Sequence, residues 1–214
     1  AFPNPDITLG RDTRLLRELL DAATERVERE LADEPAVSAD VRYAIGNTYA
    51  SLGFYDQAVD HLVSVVDSRR AHPTEGPADV SVALRKLAYS CYMRGDYAEA
   101  ETRIREALEL RHPASGEDNT DFADCLNDLG EVLFAASRTQ SDRSREAEML
   151  REAREALERA LAIRRRLLGE DHLETARSWM NLANVATCRK DLMTAEQCYE
   201  QARTILGRQP IPPL

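Results

Sequence analysis

The amino-acid sequence predicts an all-α protein built as an array of antiparallel helix pairs. Two observations favour this fold class. First, nine Gly and nine Pro among 214 residues lie mostly outside long stretches of Ala, Leu, Glu and Arg, and these four residue types are good helix formers. Second, one pattern of small and apolar residues recurs four times at a regular spacing. Such a recurrence is typical of a repeat protein, in which each unit buries its apolar face against the next.

The charge and hydropathy of the chain exclude two function classes. The 38 acidic and 28 basic residues give a net charge of −10, so we expect no nucleic-acid binding, which requires a basic face. No apolar run approaches the roughly 20 residues of a membrane span, so we expect no membrane insertion. The chain begins at Ala1 rather than Met, and we interpret it as a piece of a longer protein.

Residues 1–38 form the first predicted segment, with one amphipathic helix that packs against the array. Apolar residues recur at helical spacing over residues 15–31. Asp12 or Thr13 is the predicted N-cap, because either side chain can accept a hydrogen bond from a free backbone N–H. Pro35 is expected to follow the end of this helix, since proline lacks the N–H that a helix interior needs.

Residues 39–206 hold the four predicted helix pairs. A small residue marks the first helix of each pair and an alanine marks the second, and both markers recur 42 residues apart with a single step of 53. The extra 11 residues of that step indicate an insertion near residues 137–149, inside the third pair. A proline-rich tail follows at 207–214. The markers are Gly46, Ala88, Gly130 and Ala183 in the first helices, and Ala58, Ala100, Ala153 and Ala195 in the second helices.

Helix packing explains why small residues recur at these positions. A glycine or alanine lets the partner helix approach closely, and larger apolar residues one turn away fill the space between successive pairs. Gly53 and Gly95 are predicted to end their helices, because glycine adopts the left-handed conformation at low steric cost. Asp96 and Asp191 are predicted near the start of the following helices, where a carboxylate caps free N–H groups.

The pattern resembles the tetratricopeptide repeat, whose sequence marks include W-x2-L-G-x2-Y followed by A-x3-F. Its 42-residue period is similar to that of the kinesin-light-chain type of repeat, which also has a G-x-D-H loop before a first helix. The resemblance implies a right-handed superhelical array of helix pairs with a concave groove that binds proteins or peptides. The residues that carry it are Trp179, Leu182 and Ala183, then Leu87 and Ala88 with Gly95, Tyr97 and Ala100, and the run Gly169-Glu170-Asp171-His172.

The N-terminal segment carries a second resemblance. The run Gly10-Arg11-Asp12-Thr13, the long helix after it and the residues around Pro35 are similar to the segment that precedes repeat arrays in large bacterial serine/threonine kinases. This resemblance implies that the chain is the regulatory or sensing region of such a protein. We expect a cytoplasmic location, with the extracytoplasmic part of a membrane-anchored protein as the alternative.

The resemblance to tetratricopeptide repeats also implies which side chains line the groove, because they occupy fixed positions on the first helix of each pair. Asparagine there can pair with the backbone of a bound peptide, tyrosine and phenylalanine can form apolar pockets, and arginine can hold acidic side chains or a terminal carboxylate. The predicted ligand-groove residues are Tyr43, Asn47, Arg85, Tyr89, Tyr92, Asn127, Glu131, Phe134, Arg177, Asn181 and Asn184.

Other features have a structural interpretation. Trp179 is expected to pack between helices, and the run Arg164-Arg165-Arg166 is expected to form a solvated, salt-bridged face at a helix end. No further helix is predicted after Gly207, so apolar surface around Tyr199 and Ile205 is expected to be exposed. This exposure favours a second hypothesis, a scaffold that self-associates as a homodimer through its C-terminal end.

We expect no catalytic residues, no metal ion and no cofactor. The sequence contains no G-x-S-x-G, H-E-x-x-H or P-loop motif. Its four cysteines form no C-x-x-C pair, whereas zinc sites need ligands clustered at short spacing. Reduced cysteines, half-buried in helices, are the favoured interpretation, and they are typical of a reducing compartment.

Overall fold

A computed structural model describes the backbone of residues 5–72, 77–111 and 119–208. Nine α-helices and no strands occur in these residues, which confirms the predicted fold class. The helices are α1 (Pro5–Glu30), α2 (Pro35–Ser51), α3 (Tyr55–Ala71), α4 (Pro77–Arg94), α5 (Tyr97–Arg111), α6 (Thr120–Ser137), α7 (Arg143–Leu168), α8 (Leu173–Cys188) and α9 (Leu192–Gly207). The chain divides into two compact units, Ala1–Asp96 and Tyr97–Leu214.

In the first unit, α1 packs against α2, α2 packs against α3, and α3 packs against α4. Val27 of α1 meets Ile45 and Tyr49 of α2 in the buried core. Gly46 lies where α2 and α3 approach each other, because a Cβ atom there would lie 3.1 Å from Leu62 Cγ. The predicted role of this small residue in close packing is therefore confirmed.

The start of α1 differs from the sequence prediction. The helix begins at Pro5, so Asp12 and Thr13 lie inside it, and the predicted N-cap at either residue is wrong. Proline is favoured in a first helical turn because its φ angle already fits a helix and its missing N–H would have no partner there. The same preference places Pro35 at the start of α2.

Glycines end the first helices as predicted. Gly53 has a φ of +82° and Gly95 a φ of +93°, both in the left-handed region that glycine adopts at low cost. Lys190 occupies the corresponding position after α8. Among the described residues other than glycine, it is the one with a positive φ, at 62°. Asp191 caps α9 as predicted, since its Oδ1 accepts a hydrogen bond from the Thr194 N–H at 3.2 Å.

In the second unit, α6 packs against α7, α8 packs against α9, and α5 and α7 pack against the first helices that follow them. Gly130 of α6 allows the closest approach, because a Cβ there would overlap the side chain of Leu157, with Cδ2 at 2.8 Å. The α7 helix has 26 residues, compared with 17 in α3. Its first turns contain part of the segment in which the sequence predicts an insertion.

Exposure at the end of α9 is only partly as predicted. Tyr199 is exposed, whereas Ile205 is buried at 5% exposure, so the expectation for Ile205 is wrong. Along α9 the two side chains differ by six residues, about 1.7 turns, and therefore point in different directions. The apolar side chains that are exposed on α9 are Leu192, Met193, Tyr199 and Leu206.

Candidate protein-binding face

The first unit presents predicted groove residues on α2 and α4, its two first helices. Tyr89 is half exposed, at 50%, which leaves a large aromatic surface open to solvent. Asn47, Arg85 and Tyr92 are half-buried. The Asn47 side-chain amide makes no hydrogen bond to any described residue, so its donors and acceptor remain available.

Tyr43 has a different environment. The guanidinium group of Arg69 lies over its ring, 4.9 Å from the ring centroid. Arg69 in turn pairs with Asp40 at 3.0 Å and with Asp79 at 2.9 Å. One face of the Tyr43 ring is therefore covered from within the unit by a cation held between two carboxylates.

The second unit presents its predicted groove residues on α6 and α8. Arg177 of α8 lies 2.6 Å from Glu131 and 3.2 Å from Asp128 of α6. Burial lowers the pKa of Arg177, but the charges of Glu131, Asp128 and Glu174 outweigh it and raise that pKa above its usual value. The guanidinium charge is thus already neutralised by three carboxylates, which disfavours the predicted use of Arg177 to hold an acidic ligand.

Asn127 is completely buried beneath this face. Its Oδ1 accepts hydrogen bonds from Arg164 Nη1 at 3.1 Å, from Ser178 Oγ at 3.3 Å and from Asn181 Nδ2 at 3.3 Å. Asn181 is itself only 9% exposed. Direct contact of Asn127 with a ligand does not fit this burial, and its contacts give it an internal, positioning role.

Arg164 forms the centre of that buried network, and the prediction that it belongs to a solvated face is wrong. Its side chain has no exposed surface. Nη2 lies 2.6 Å from Asp124 Oδ1 and 2.9 Å from Glu174 Oε2. Nη1 also donates to Ser178 Oγ at 2.8 Å and to the Glu174 carbonyl at 3.0 Å. A buried guanidinium needs this number of acceptors, because desolvation of an unpaired charge is costly.

The remaining predicted residues of the second unit are more accessible. Asn184 and Phe134 are half-buried. Asn184 Oδ1 accepts a hydrogen bond from the Tyr199 hydroxyl at 2.7 Å, which leaves its amide nitrogen as the free donor. Of the four asparagines predicted to pair with a peptide backbone, Asn47 and Asn184 therefore have accessible amides, whereas Asn127 and Asn181 are directed into the buried network.

Repeat register explains part of this difference. Tyr43, Arg85, Asn127 and Met180 occupy one repeat position, since they follow one another at intervals of 42, 42 and 53 residues. The first two are half-buried and Met180 is 42% exposed, so Asn127 is the buried member of the set. The Asn127 side chain is short enough to lie beneath the surface, where it accepts a hydrogen bond from Arg164. The longer side chains at the same repeat position lie nearer the surface.

A second feature also repeats along the chain, and it was not among the features predicted from the sequence. Arg69, Arg111 and Arg164 recur at intervals of 42 and 53 residues near the ends of second helices. Each pairs with a carboxylate in the first turn of the next first helix, respectively Asp79, Asp121 and Glu174. These acids recur at the same two intervals. The shared spacing of arginine and acid is the signal that could have identified these contacts.

The structure combines three features: helix pairs with small residues at their contacts, arginine contacts between successive pairs, and an accessible face on the first helices. Together they define a helical-repeat protein of the interaction type. The chain belongs to the tetratricopeptide repeat family. The family model for the tetratricopeptide repeat matches residues 79–141 and 145–207, which together are more than half of the chain. The predicted family is therefore confirmed, and with it a general role in protein–protein interaction.

Solved structures support the same fold. BtubC (BKLC) from P. vanneervenii has a TM-score of 0.70 and 23% identity, and the match covers 95% of this chain and 78% of that chain. A putative kinesin light chain of Podospora anserina with nearly identical TPR-like repeats has a TM-score of 0.65 and 18% identity, with 94% of each chain covered. MamA from Desulfovibrio magneticus RS-1 has a TM-score of 0.61 and 15% identity, with 99% of this chain and 100% of that chain covered.

These neighbours confirm the expected similarity to repeats of the kinesin-light-chain kind. At these identities they establish the fold alone. No curated protein matches the chain. None of the helices that the structure describes is long and apolar enough to cross a membrane.

Proposed function

We propose that the chain is a non-catalytic module that binds segments of partner proteins on the first helices of each of its two units. The observation that carries this proposal is the exposed aromatic surface of Tyr89, on the same unit as the unpaired amide of Asn47. Tyrosines on a rigid helix supply contact area at low entropic cost and are enriched among the residues that dominate binding energy. Tetratricopeptide repeats are generally non-catalytic, in keeping with this role.

The ligand roles follow from accessibility. Tyr89 and Tyr92 provide apolar contacts, and Arg85 adds a cation beside them. Asn47 and Asn184 offer amides that can pair with a peptide backbone irrespective of its sequence. Arg177 and Asn127 act indirectly by fixing the positions of α6 and α8, because the Arg177 guanidinium and the Asn127 Oδ1 are engaged within the second unit.

The test compares two matched substitutions that remove an exposed apolar side chain. Tyr89→Ser lies on a first helix, and Val63→Ser lies on the second helix α3, where Val63 is 37% exposed. Partners captured from lysate by the native chain are identified by mass spectrometry, and their affinities are then measured by calorimetry with purified proteins. We expect Tyr89→Ser to weaken binding by about tenfold or more, and Val63→Ser to have little effect. Equal affinities for both variants would contradict the proposal.

Self-association is the second candidate function. Four large apolar side chains are exposed along α9, with Met193 at 71% and Leu192 at 69% exposure. Apolar surface of this kind favours contact with another protein surface. Sedimentation equilibrium over a range of concentrations tests whether the chain dimerises. Under this hypothesis Leu206→Glu would abolish a dimer that persists on dilution, whereas a native chain that is monomeric throughout would contradict it.

We infer further that the chain is the regulatory or sensing region of a longer bacterial protein such as a serine/threonine kinase. The support is the resemblance of the N-terminal segment, around residues 10–37. The four free cysteines favour a cytoplasmic location. Immunoblotting of the source organism with an antibody to this chain, after cell fractionation, would give the size and compartment of the native protein. A band in the soluble fraction at the mass of this chain alone would contradict the inference.

A further inference from the structure

A cavity of about 740 Å³ lies among α7, α8 and α9 in the second unit. Helices α7 and α9 each pack against α8, but no residue of α7 lies within 8 Å of α9 between Cα atoms, so a gap remains between these two helices. None of the predicted ligand-groove residues lines this cavity. Its volume is in the range of ligand-binding pockets. The larger apolar residues of its lining are Leu161, Trp179, Leu182, Val185 and Cys198.

The charged side chains of the lining balance one another, since three arginines face three carboxylates. The charge of Arg189 helps to lower the pKa of Asp191, after the hydrogen bonds that this carboxylate accepts from Thr194. A charged group brought into such a cavity would lose its hydration without gaining an uncompensated partner, so the cavity favours an uncharged, apolar occupant. The other two pairs are Arg154 with Glu158 at 2.6 Å and Arg165 with Glu170 at 2.6 Å.

Residues 209–214 form an uncharged, apolar segment that directly follows α9. They lie outside the described residues. The segment contains three prolines and no acidic or basic side chain, and its large apolar residues are Ile211 and Leu214. Proline-rich segments favour the extended polyproline II conformation and dock on aromatic surfaces at low entropic cost. The segment therefore matches a cavity that has no net charge and an aromatic wall at Trp179.

This segment starts beside the cavity. Arg208, the last described residue, pairs through Nη1 with Asp171 Oδ1 at 2.6 Å, and Asp171 follows Glu170 of the cavity lining. Arg208 also lies on the cavity side of α9, because it comes seven positions, about two turns, after the lining residue Gln201. Pro210 follows the C-cap Arg208 by two residues and cannot continue the helix, so the chain changes direction there.

The register of α8 and α9 gives the distance from this starting point to the aromatic wall. The two helices are antiparallel, since Tyr199 of α9 donates a hydrogen bond to Asn184 of α8 at 2.7 Å, while Arg208 pairs at the opposite end of α8. Trp179 is therefore about level with Gln201 of α9. Seven residues of helix separate that level from Arg208, which is about 10 Å along the axis.

We propose that residues 209–214 turn back along α9 and occupy this cavity. A polyproline II chain advances about 3.1 Å per residue, so Ile211 reaches the level of the Trp179 ring. Leu214 comes about 9 Å further on, where Val185 is part of the apolar wall. The segment thereby covers apolar surface of the last helix pair.

Two side chains of the lining can hold the backbone of the segment. The amides of Gln197 and Gln201 make no hydrogen bond to any described residue. They donate to backbone carbonyl groups of the segment, which the polyproline II conformation leaves unpaired. A proline-rich segment of another protein has to displace residues 209–214 from this cavity, because the attached segment competes at an effective concentration on the order of 1 mM.

Trp179 supplies the readout, because it is the single tryptophan of the chain. The double variant Ile211→Ser, Leu214→Ser removes both large apolar side chains of the segment without changing its charge. In the full chain we expect this variant to show stronger quenching of the Trp179 emission by acrylamide. The matched control is Leu192→Ser, Met193→Ser, since these residues of α9 are exposed at 69% and 71% and do not line the cavity. Its quenching should equal that of the native chain.

A peptide with the sequence of residues 209–214, acetylated and amidated, tests whether the cavity is the site. We expect this peptide to protect Trp179 from acrylamide in the double variant. It should bind the native chain about tenfold more weakly than the double variant, because the attached segment competes with it. A control peptide with aspartate in place of the isoleucine and the leucine should not bind. Calorimetry gives the affinities, and circular dichroism establishes that each variant is folded.

Four results would overturn the proposal. They are equal quenching of Trp179 in the native chain and the double variant, a peptide that gives no protection, equal affinities of the peptide for the two chains, and protection in the native chain that is lost on dilution. The last result would assign the occupant to a second copy of the chain. None of these measurements depends on the first-helix residue Tyr89, so failure of the cavity proposal is distinguishable from failure of the proposed function.

Discussion

Arg164 Nη2 lies 2.6 Å from Asp124 Oδ1, although the Arg164 side chain has no exposed surface. The arginine is on α7, and its two carboxylate partners are on α6 and α8, so one side chain joins three helices. Its partners Asp124 and Glu174 retain some solvent contact, at 29% and 40% exposure of their side chains. The pairing therefore avoids the full desolvation cost of a completely buried ion pair.

The same arrangement recurs at Arg69, which contacts Asp40 and Asp79. In both cases the arginine lies near the end of a second helix, and one partner acid lies in the first turn of the next helix. The helix dipoles favour a cation at the first location and an anion at the second. The repeat spacing thus places one arginine–carboxylate contact between a second helix and the first helix that follows it.

Substitution of Arg164 should destabilise the second unit strongly. Arg164→Met keeps much of the side-chain volume but leaves the carboxylates of Asp124 and Glu174 without the buried cation that pairs with them. We expect the free energy of unfolding to fall by about 3 kcal/mol, as measured by urea denaturation. Arg165→Met is the control at the adjacent exposed residue and should change it by about 0.5 kcal/mol or less. Similar losses for both variants would contradict the assigned role of Arg164.

The repeat spacing predicted the helix pairs because it depends on local and nearest-neighbour physics. A positive φ at a helix end favours glycine at Gly53, and a close helix contact favours glycine at Gly130. Both roles can therefore be recognised from the position of glycine in the repeat. The burial of Arg164 was not predictable in the same way. The three consecutive arginines are the same residue type, so composition does not distinguish them, but successive residues on a helix point about 100° apart. The run itself therefore does not show which arginine points inward, whereas the recurrence of Arg69, Arg111 and Arg164 at intervals of 42 and 53 residues singles out Arg164. Arg165 and Arg166 remain exposed.

The predicted groove residues show the same limit. Register predicts which positions lie on the first helices, but it does not predict which side chains form hydrogen bonds inside a unit. Asn127 and Asn181 were predicted as ligand contacts because asparagine is suited to peptide binding. In the structure both are buried, and Asn127 Oδ1 accepts hydrogen bonds from Arg164 and from Asn181.

Replacement of Gly130 tests the close contact between α6 and α7. Alanine is favoured over glycine in a helix interior by about 0.5–1 kcal/mol, so propensity alone predicts stabilisation by Gly130→Ala. The added Cβ would overlap Leu157, however, and we expect a net loss of about 1–3 kcal/mol in the free energy of unfolding. Gly207→Ala is the control, since no atom lies within 4 Å of a Cβ there. A stabilised Gly130→Ala variant would show that the helices separate at little cost.

Hydrogen exchange should show that the arginine contacts act locally. In a repeat protein, stability is approximately a sum of nearest-neighbour contributions. Arg69→Met is therefore expected to increase amide exchange in α2, α3 and the start of α4, and Arg164→Met to increase it in α6, α7 and the start of α8. Mass spectrometry of peptic fragments measures both patterns. A uniform increase along the whole chain in either variant would instead indicate a single cooperative unit.

His61 is a buried histidine in the core of the first unit. It is 7% exposed, its ring stacks on Tyr49 at 5.5 Å between centroids, and its Nε2 lies 3.2 Å from Thr24 Oγ1. Burial lowers its pKa below the usual value, and the positive charge of Arg42 lowers it further. The carboxylates of Asp60, Glu28 and Asp21 act in the opposite direction without reversing the shift.

The depressed pKa of His61 predicts a loss of stability in mild acid. Above the unfolded-state pKa of about 6.5, the imidazole is neutral in both states and stability is unaffected. Below it, the unfolded chain binds a proton that the folded chain resists, so stability falls by at most about 1.4 kcal/mol per pH unit until the folded-state pKa is reached. Urea denaturation at about pH 7.5 and about pH 5.5 measures this loss. His61→Gln should reduce this loss, and an unchanged loss in His61→Gln would assign the acid sensitivity to other groups.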